Sequence, residues 1–248
     1  MCAVLMLSSV TFLVSCGEQE QTGTDETTAE SKSSSSQAEE IVTVPTEKSA
    51  IADMFQAAIN YVDGYCYGYT KSVKVTVSDL SVGALSSVSN SRDAFRSVFG
   101  ETDTTADYNY NADKELFDLN FPSGNFKADV MESAKAEQKD GIITITAAFP
   151  NESDPKDGGL LRRLGGDYLS ADDVKANLNS FASSAGSIRV SASDIKAVAK
   201  INASDSRLVS MEISFVESFT LSEVKLVKID GASVSAKSRT IVKYTDIG

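Results

Sequence analysis

The chain contains no histidine and no tryptophan among its 248 residues, and it has only three cysteines and four prolines. Without histidine it cannot build a Ser-His-Asp triad, a Cys-His nucleophile pair or an HExxH metalloprotease site, and nearly every protein zinc site needs histidine as well. Most classes of hydrolase are therefore excluded. We expect no enzymatic activity, no bound metal and no cofactor.

Basic residues are also scarce. Lys and Arg together number 23 against 35 Asp and Glu, which gives a net charge of −12 and a pI near 4.5. A protein of this charge repels phosphate backbones, so we expect no nucleic-acid partner. The 42% hydrophobic and 23% charged residues are typical of a globular chain, not of a disordered, collagenous or multi-span membrane protein.

An uncharged, mostly apolar stretch covers residues 2–14 and ends Leu13-Val14-Ser15-Cys16-Gly17. This ending resembles the bacterial lipobox. The resemblance implies signal-peptidase cleavage between Ser15 and Cys16, a diacylglycerol thioether and further acylation such as palmitate on Cys16, and residence at the extracytoplasmic face of the cell membrane. A transmembrane anchor would need about 18 to 20 apolar residues, more than this stretch offers.

The next segment, residues 16–48, is rich in Ser, Thr and Glu and has no aromatic residue. Residues 17–48 carry eight acids and two lysines, which is half of the net charge of −12. Such a composition cannot bury a core, so we predict a disordered tether that links the lipid on Cys16 to the domain. Residues 1–15 are then the signal peptide, and residues 49–248 form a single domain.

Within this domain, apolar residues recur at helical spacing in three stretches. The third begins Ser170-Ala171-Asp172-Asp173, which has the pattern of a capping box. Its acidic residues suit the first turn of a helix, so we interpret them as capping and not as catalytic carboxylates. The predicted helices cover residues 50–62, 91–99 and 170–186.

Other stretches alternate between apolar and polar residues, which predicts strands. Asp140-Gly141 is typical of a tight hairpin turn, with residues 131–138 as its first strand, although that stretch is also compatible with a helix. The predicted strands cover residues 73–77, 131–138, 142–149, 194–202, 207–217 and 242–244. We therefore predict an α+β fold, with a meandering, curved antiparallel sheet of about seven strands and three or so helices packed on one face.

Two patterns have the spacing of a catalytic or metal-binding motif but lack the other residues that the motif needs. Ser193 with Lys196, and Ser222 with Lys225, match the Ser-x-x-Lys motif of penicillin-recognising enzymes, but no companion motif occurs. A three-residue offset within a strand also predicts opposite faces for the two side chains. The acidic residues 151–158 fail as a calcium loop because a proline occupies one ligand position.

Two features are candidate ligand-binding sites. Tyr65, Tyr67 and Tyr69 follow the first predicted helix, and on an extended segment their rings would line one side as an apolar wall with hydroxyl groups. The alternative is that these rings close the end of the core, which is the commoner use of such residues. Arg162 and Arg163 lie in a segment bracketed by glycines. They could contact an anionic lipid or polymer, or pair with neighbouring acids.

Taken together, the lipobox, the polar tether and one α+β domain resemble uncharacterised surface lipoproteins of thick-walled bacteria. The resemblance is specific only over residues 1–48 and transfers no site. We expect a non-catalytic, monomeric binding module for an apolar or amphipathic ligand, a lipid or a glycan, held on the membrane through Cys16. The alternative is a structural or protein-interaction component of the cell envelope.

Overall fold

The structure, a computed structural model, describes residues 43–124, 126–156, 158–180, 184–226 and 229–248. The predicted signal peptide, the lipidation of Cys16 and almost all of the predicted tether lie outside the described residues. The first element begins at Lys48, one residue before the predicted start of the domain.

Five helices and five strands are interspersed in the first two thirds of the described chain, and three long strands complete it. The helices are α1 (Lys48–Tyr65), α2 (Ser91–Val98), α3 (Lys114–Asn120), α4 (Leu160–Arg163) and α5 (Ala171–Asn179). The strands are β1 (Gly68–Ser81), β2 (Thr102–Asn109), β3 (Ser133–Lys139), β4 (Ile142–Ala148), β5 (Glu152–Ser153), β6 (Ser187–Asn202), β7 (Leu208–Leu226) and β8 (Ile229–Thr245). No described helix is long and apolar enough to cross a membrane.

All strands belong to one antiparallel sheet in the order β2-β1-β8-β7-β6-β4-β3, with β5 paired to β6. Strands β6, β7 and β8 form a meander, and β1 adds to its edge beside β8, so the two ends of the domain sequence lie side by side. The predicted α+β class with a meandering antiparallel sheet of about seven strands is confirmed.

The hairpin predicted at Asp140-Gly141 joins β3 to β4. Both turn residues have positive φ, 50° for Asp140 and 75° for Gly141, as a two-residue turn between twisted strands requires. The first strand begins at Ser133, two residues later than predicted, because a short 3-10 turn at Ala128–Val130 precedes it.

Three of the long strands contain a β-bulge where an acidic residue has positive φ: Asp79 in β1, Asp194 in β6 and Glu223 in β7. At each of these points the bulged strand has one more residue than its partner. A bulge bends a strand and increases its twist, so these residues account for curvature that the alternation pattern alone does not predict.

The bulges also change the relation between the two Ser-x-x-Lys pairs. Ala192 and Ile195, on either side of the bulge in β6, are both buried on the covered side of the sheet. Ser193 and Lys196 therefore both lie on the other side. The bulge in β7 has the same effect on Ser222 and Lys225. The expected placement on opposite faces is therefore wrong for both pairs, since an extra residue shifts the two-residue period by one.

The sheet has one covered face and one open face. The covered face is the side where buried residues alternate along each strand, for example Met211, Ile213, Phe215, Glu217, Phe219 and Leu221 of β7. The open face carries the intervening residues, which are half-buried or exposed. The buried residues of the helices belong to the clusters on the covered face, so the helices pack on that side of the sheet.

Two hydrophobic clusters lie on the covered face. The larger includes the apolar stripe of α1 and the inward residues of β3, β4 and the near ends of the long strands. The smaller includes Phe95 and Phe99 at α2 with Val174 and Leu178 of α5. Buried polar side chains of β7 and β8 separate the clusters: Glu217, Ser238 and Thr240. The sheet therefore has a polar band between two apolar cores.

The helix predictions hold in position and differ in length. Helix α1 extends to Tyr65 instead of residue 62. Helix α2 closely matches its predicted range. Helix α5 begins with the predicted capping box, in which the Ser170 hydroxyl accepts from the Asp173 N–H and the Asp173 carboxylate accepts from the Ser170 N–H. It ends at Asn179, whereas Ser184 pairs with Lys225 in a β-bridge, so the predicted extension to residue 186 is wrong.

Candidate functional site

A groove of about 350 Å³ opens on the covered face, beside the polar band. Pockets of this size and larger hold small molecules in proteins. The lining residues come from β1, β2 and β7, from the ends of α2 and α3, and from the segment between α4 and α5. They are Lys71, Val73, Val75, Phe99, Gly100, Thr102, Thr104, Ala106, Tyr108, Asn120, Asp167, Tyr168, Leu169 and Glu217.

The floor of the groove consists of paired residues from β1 and β2. Lys71 is opposite Ala106, Val73 is opposite Thr104, and Val75 is opposite Thr102. Period two places all of these side chains on the covered face. Apart from Lys71, the floor is therefore apolar along β1, and it is lined with small side chains and hydroxyl groups along β2.

Three chain segments wall the groove. Phe99 and Gly100 follow α2, and Gly100 has φ +73°, a conformation that suits glycine. Asn120 is the last residue of α3. Residues 167–169 precede the capping box of α5 and bring Leu169 against Gly100. Regular elements on both sides thus position the walls, which favours a preformed groove.

One end of the groove carries an ion pair. The Lys71 Nζ lies 3.0 Å from Asp167 Oδ2. The lysine side chain is only 6% exposed, whereas the aspartate is 47% exposed. The Lys71 Nζ also lies 5.8 Å from the centroid of the Tyr244 ring, close enough for a cation–π contact. This end therefore presents a buried cation with a solvated counter-ion.

The opposite end carries a buried carboxyl group. Glu217 is 1% exposed; its Oε1 accepts from the Leu169 N–H at 2.8 Å and its Oε2 from the Ser238 hydroxyl at 3.4 Å. Burial raises the pKa of Glu217 to about 7, although both hydrogen bonds oppose the rise. The carboxyl group therefore changes its charge near neutral pH.

Tyr108 stands between the ion pair and the aromatic part of the core. Its ring stacks on Tyr69 with 5.1 Å between centroids. Burial, and secondarily the negative charge of Asp167, raise the pKa of its hydroxyl, which stays a neutral hydrogen-bond donor. Among the described residues, no side chain or backbone group hydrogen-bonds this hydroxyl, so it is available to a ligand.

The groove combines apolar surface with hydroxyl groups and charged side chains. Its hydroxyl groups lie on Thr102, Thr104, Tyr108 and Tyr168. Of its two carboxylates, Asp167 pairs with Lys71 and Glu217 accepts two hydrogen bonds. No group of three or more His, Cys, Asp or Glu side chains in the described ranges could hold a metal ion. Cys66 is buried, and burial raises the pKa of its thiol, so the thiolate needed for nucleophilic attack is disfavoured.

The predicted wall of three tyrosines does not form. Tyr65 is the last residue of α1, where it stacks on Tyr61 and is 71% exposed. Tyr67 is 62% exposed and lies between α1 and β1. Only Tyr69 is in a strand, and it is buried. The premise of an extended segment from Tyr65 to Tyr69 is wrong because α1 continues three residues beyond its predicted end.

Tyr69 is instead a core residue. Its ring contacts Tyr108, Phe117, Phe121 and Tyr244 at centroid distances from 4.8 to 5.7 Å. Its hydroxyl donates to the Phe117 carbonyl at 2.7 Å. The Tyr244 hydroxyl lies within hydrogen-bonding distance of the carbonyls of Asn120 and Gly165. These two tyrosines attach the layer above the sheet to β1 and β8.

Arg162 and Arg163 lie in α4 and do not line the groove. The carboxylate of Glu152 holds the start of this helix by accepting from the N–H groups of Leu160 and Leu161. The Arg163 Nε is buried and has no hydrogen-bond partner in the described chain. Contact of the two arginines with an anionic lipid or polymer stays a prediction.

The groove residues were missed by sequence reasoning, yet two of them leave a signal. Lys71 occupies an inward position in the alternation Tyr69, Lys71, Val73, Val75. Glu217 does the same between Phe215 and Phe219. A charged residue in the apolar phase of a strand is rare, because burying a charge without a partner is costly. Asp167 leaves no such signal, since it lies in an irregular segment.

No protein-family model, curated protein or solved structure matches the chain.

Proposed function

We propose that the described domain is a non-catalytic binding module for an apolar or amphipathic ligand. In this proposal a lipid on Cys16 holds it at the extracytoplasmic face of a bacterial cell membrane. The observation that carries the binding role is the groove over β1 and β2, with an apolar floor between an ion pair and a buried carboxyl group. Small-molecule sites commonly combine such an apolar surface with a few fixed polar groups.

The shape of the lining supports a ligand that lies along β1. Val73, Val75 and Leu169 supply apolar surface, and Thr104 and Ala106 are exposed floor residues of β2. The small side chains on β2 leave the volume open. A larger side chain at position 106 would fill the groove without entering the core.

Binding of the neutral apolar dye Nile red to the full chain tests this proposal. We expect a fluorescence increase with the wild type and loss of at least about 80% of it in Ala106→Trp, because the indole occupies the floor of the groove. The matched control is Thr105→Trp, on the neighbouring residue of the same strand. Thr105 pairs with Ser72 on the open face, so this variant should bind the dye like the wild type.

Equal dye binding by Ala106→Trp and the wild type would contradict the groove as the binding site.

Native mass spectrometry of the full chain extracted from its own cells adds a second test. We expect a co-purifying small molecule that is absent from Ala106→Trp and present in Thr105→Trp.

Attachment to the membrane is tested separately through Cys16. The Cys16→Ala variant should accumulate as an unprocessed precursor or be released into the medium, because its side chain cannot form the thioether. Processing and membrane retention equal to the wild type would contradict the lipid anchor.

A second candidate role is an interaction component of the cell envelope. The exposed rings of Tyr65 and Tyr67 support it, since exposed aromatic side chains are enriched in protein interfaces. Replacing both by Ala should then remove a cross-linked partner in whole cells while Nile red binding stays unchanged. Loss of dye binding in this variant would contradict the separation of the two roles.

A further inference from the structure

We propose that the groove selects a single-chain amphipathic acid, whose oxyanion head binds the Lys71 ammonium and whose apolar chain lies along Val73 and Val75. This inference rests on the proposed binding function and adds the chemical class and the orientation of the ligand. Three observations carry it: the unfilled donors around Lys71, the exposure of Asp167, and the different chemistry of the far end.

The first observation is the hydrogen-bonding capacity of Lys71. An ammonium group has three N–H donors. Within the described ranges, the only acceptor that it contacts is Asp167, at 3.0 Å. Because the side chain is 6% exposed, its remaining donors have little access to bulk solvent. A ligand oxygen in the groove would satisfy them.

Two hydroxyl groups lie on the neighbouring strand. Lys71 is opposite Ala106 in the register of β1 and β2, so Thr104 and Tyr108 are its diagonal neighbours on the covered face. Diagonal neighbours lie within reach of long side chains. The hydroxyl groups of Thr104 and Tyr108 have no partner among the described residues. One ammonium and two hydroxyl groups thus line this part of the groove. The ammonium is a donor only and suits a group made only of acceptors, as a carboxylate is.

The second observation concerns the counter-ion. Asp167 is 47% exposed, and it lies in the irregular segment between α4 and α5. Because about half of its side chain is in contact with water, this carboxylate can turn towards solvent when another oxyanion takes its place beside Lys71. Asp167 therefore competes with an incoming oxyanion for Lys71. Its removal should strengthen anion binding instead of weakening it.

The third observation gives the orientation. From Lys71 to Val75 the strand rises about 13 Å, which matches an extended medium-chain acid such as decanoate. Val73, Val75 and Leu169 provide apolar contacts over this distance. At the far end, Glu217 would repel a second anion whenever it is ionised. The head therefore lies at Lys71 and the chain points towards Glu217.

Isothermal titration of the full chain with decanoate, decylamine and decanol tests the inference. The three probes share a chain and differ in the charge of the head. We expect decanoate to bind at least about tenfold more tightly than the other two, the usual size of a charge-assisted hydrogen bond. Lys71→Met should weaken decanoate binding by at least about tenfold and leave decanol binding within about twofold.

Two further variants make the test specific. Lys74→Met is the matched control, because Lys74 forms an equivalent pair with Asp103 at 2.8 Å on the open face of the same strand; decanoate binding should not change. Asp167→Asn should increase decanoate affinity about threefold, since it removes the competing charge while the amide oxygen remains an acceptor for the Lys71 ammonium. If the ion pair had a purely structural role, Asp167→Asn would not increase the affinity for decanoate.

The outcomes separate this inference from the proposed function. If the three probes bind equally, or if Lys71→Met binds decanoate like the wild type, the ligand class is wrong while the binding module stands. If neither the three probes nor Nile red bind, the proposed function itself fails. Vesicles of phosphatidylglycerol distinguish a free acid from a membrane lipid: Lys71-dependent binding to vesicles without binding of decanoate would overturn the single-chain ligand.

Discussion

The covered and open faces of the sheet carry the same kinds of polar residues in very different states. Each face of β1 has a lysine–aspartate pair, Lys71 with Asp167 and Lys74 with Asp103, at nearly equal distances. The open-face pair is well exposed at both residues, whereas Lys71 is almost fully buried. Residue type and separation are matched, so the difference comes from the helices and segments above the covered face.

The glutamates of β7 repeat this contrast. Glu212 on the open face pairs with Lys243 at 3.2 Å in contact with solvent. Glu217 on the covered face is buried away from solvent, and this desolvation raises its pKa to about 7. A short stretch of one strand thus contains one acid in a solvent-exposed ion pair and one buried acid with a pKa near neutrality. The state of a charged side chain in this sheet therefore depends on whether helices and segments bury it, and not on the strand sequence alone.

The largest effect should come from Tyr69, where the covered face meets the core. We expect Tyr69→Ala to lower the free energy of unfolding by about 3–5 kcal/mol, because it removes a buried ring and leaves a cavity. The matched control is Thr70→Ala on the open face, which loses only an exposed hydrogen bond to Asp107 and should change stability by less than about 1 kcal/mol. Urea unfolding of both variants measures the difference.

A small loss in Tyr69→Ala would show that the ring is a surface group, as the predicted tyrosine wall requires. An equal loss of unfolding free energy in the two variants would contradict the difference between the two faces at this position.

The next effect is a pH dependence of stability that comes from Glu217. Its pKa in the folded state is about 7, against an ordinary value near 4.5. The folded protein therefore holds the proton in a pH range where the unfolded chain has released it, and stability falls as the pH rises from about 4.5 to 7. The shift corresponds to about 3 kcal/mol at most.

Glu217→Gln should remove this dependence, because a neutral amide resembles the protonated acid at every pH. The variant should match the wild type near pH 4.5 and exceed it at pH 8 by up to about 3 kcal/mol in urea unfolding. Glu212→Gln serves as the control and should keep the wild-type pH slope between pH 4.5 and 8. A wild-type slope in Glu217→Gln would contradict the raised pKa.

Much of the fold could be predicted from the sequence, because local patterns encode it. The stripe of α1, the capping box at Ser170 and the turn at Asp140-Gly141 each depend on residues near one another in the chain. The pairing of β1 with β8 could not be predicted, since it joins residues more than 150 positions apart. The bulges could not be predicted either. At each of them an extra residue interrupts the alternation of apolar and polar residues, which continues on both sides.

The site was harder to predict than the fold. The tyrosines at 65, 67 and 69 are neighbours in sequence, but a helix end separates their rings in space. Lys71, Asp167 and Glu217 are distant in sequence, and antiparallel pairing together with the layer above the sheet brings them to one groove. A lysine or glutamate in the apolar phase of a strand is the pattern that indicates such a site before the structure is known.

Methyl NMR of the full chain during a decanoate titration tests most directly whether the covered face is the functional one. Val73 and Val75 report on the groove, and Val216 and Ile241 report on the open face of the same sheet. We predict saturable chemical-shift changes at the first pair, no change at the second, and loss of the response in Lys71→Met but not in Lys74→Met. Shifts at Val216 and Ile241 without shifts at Val73 and Val75 would contradict the account.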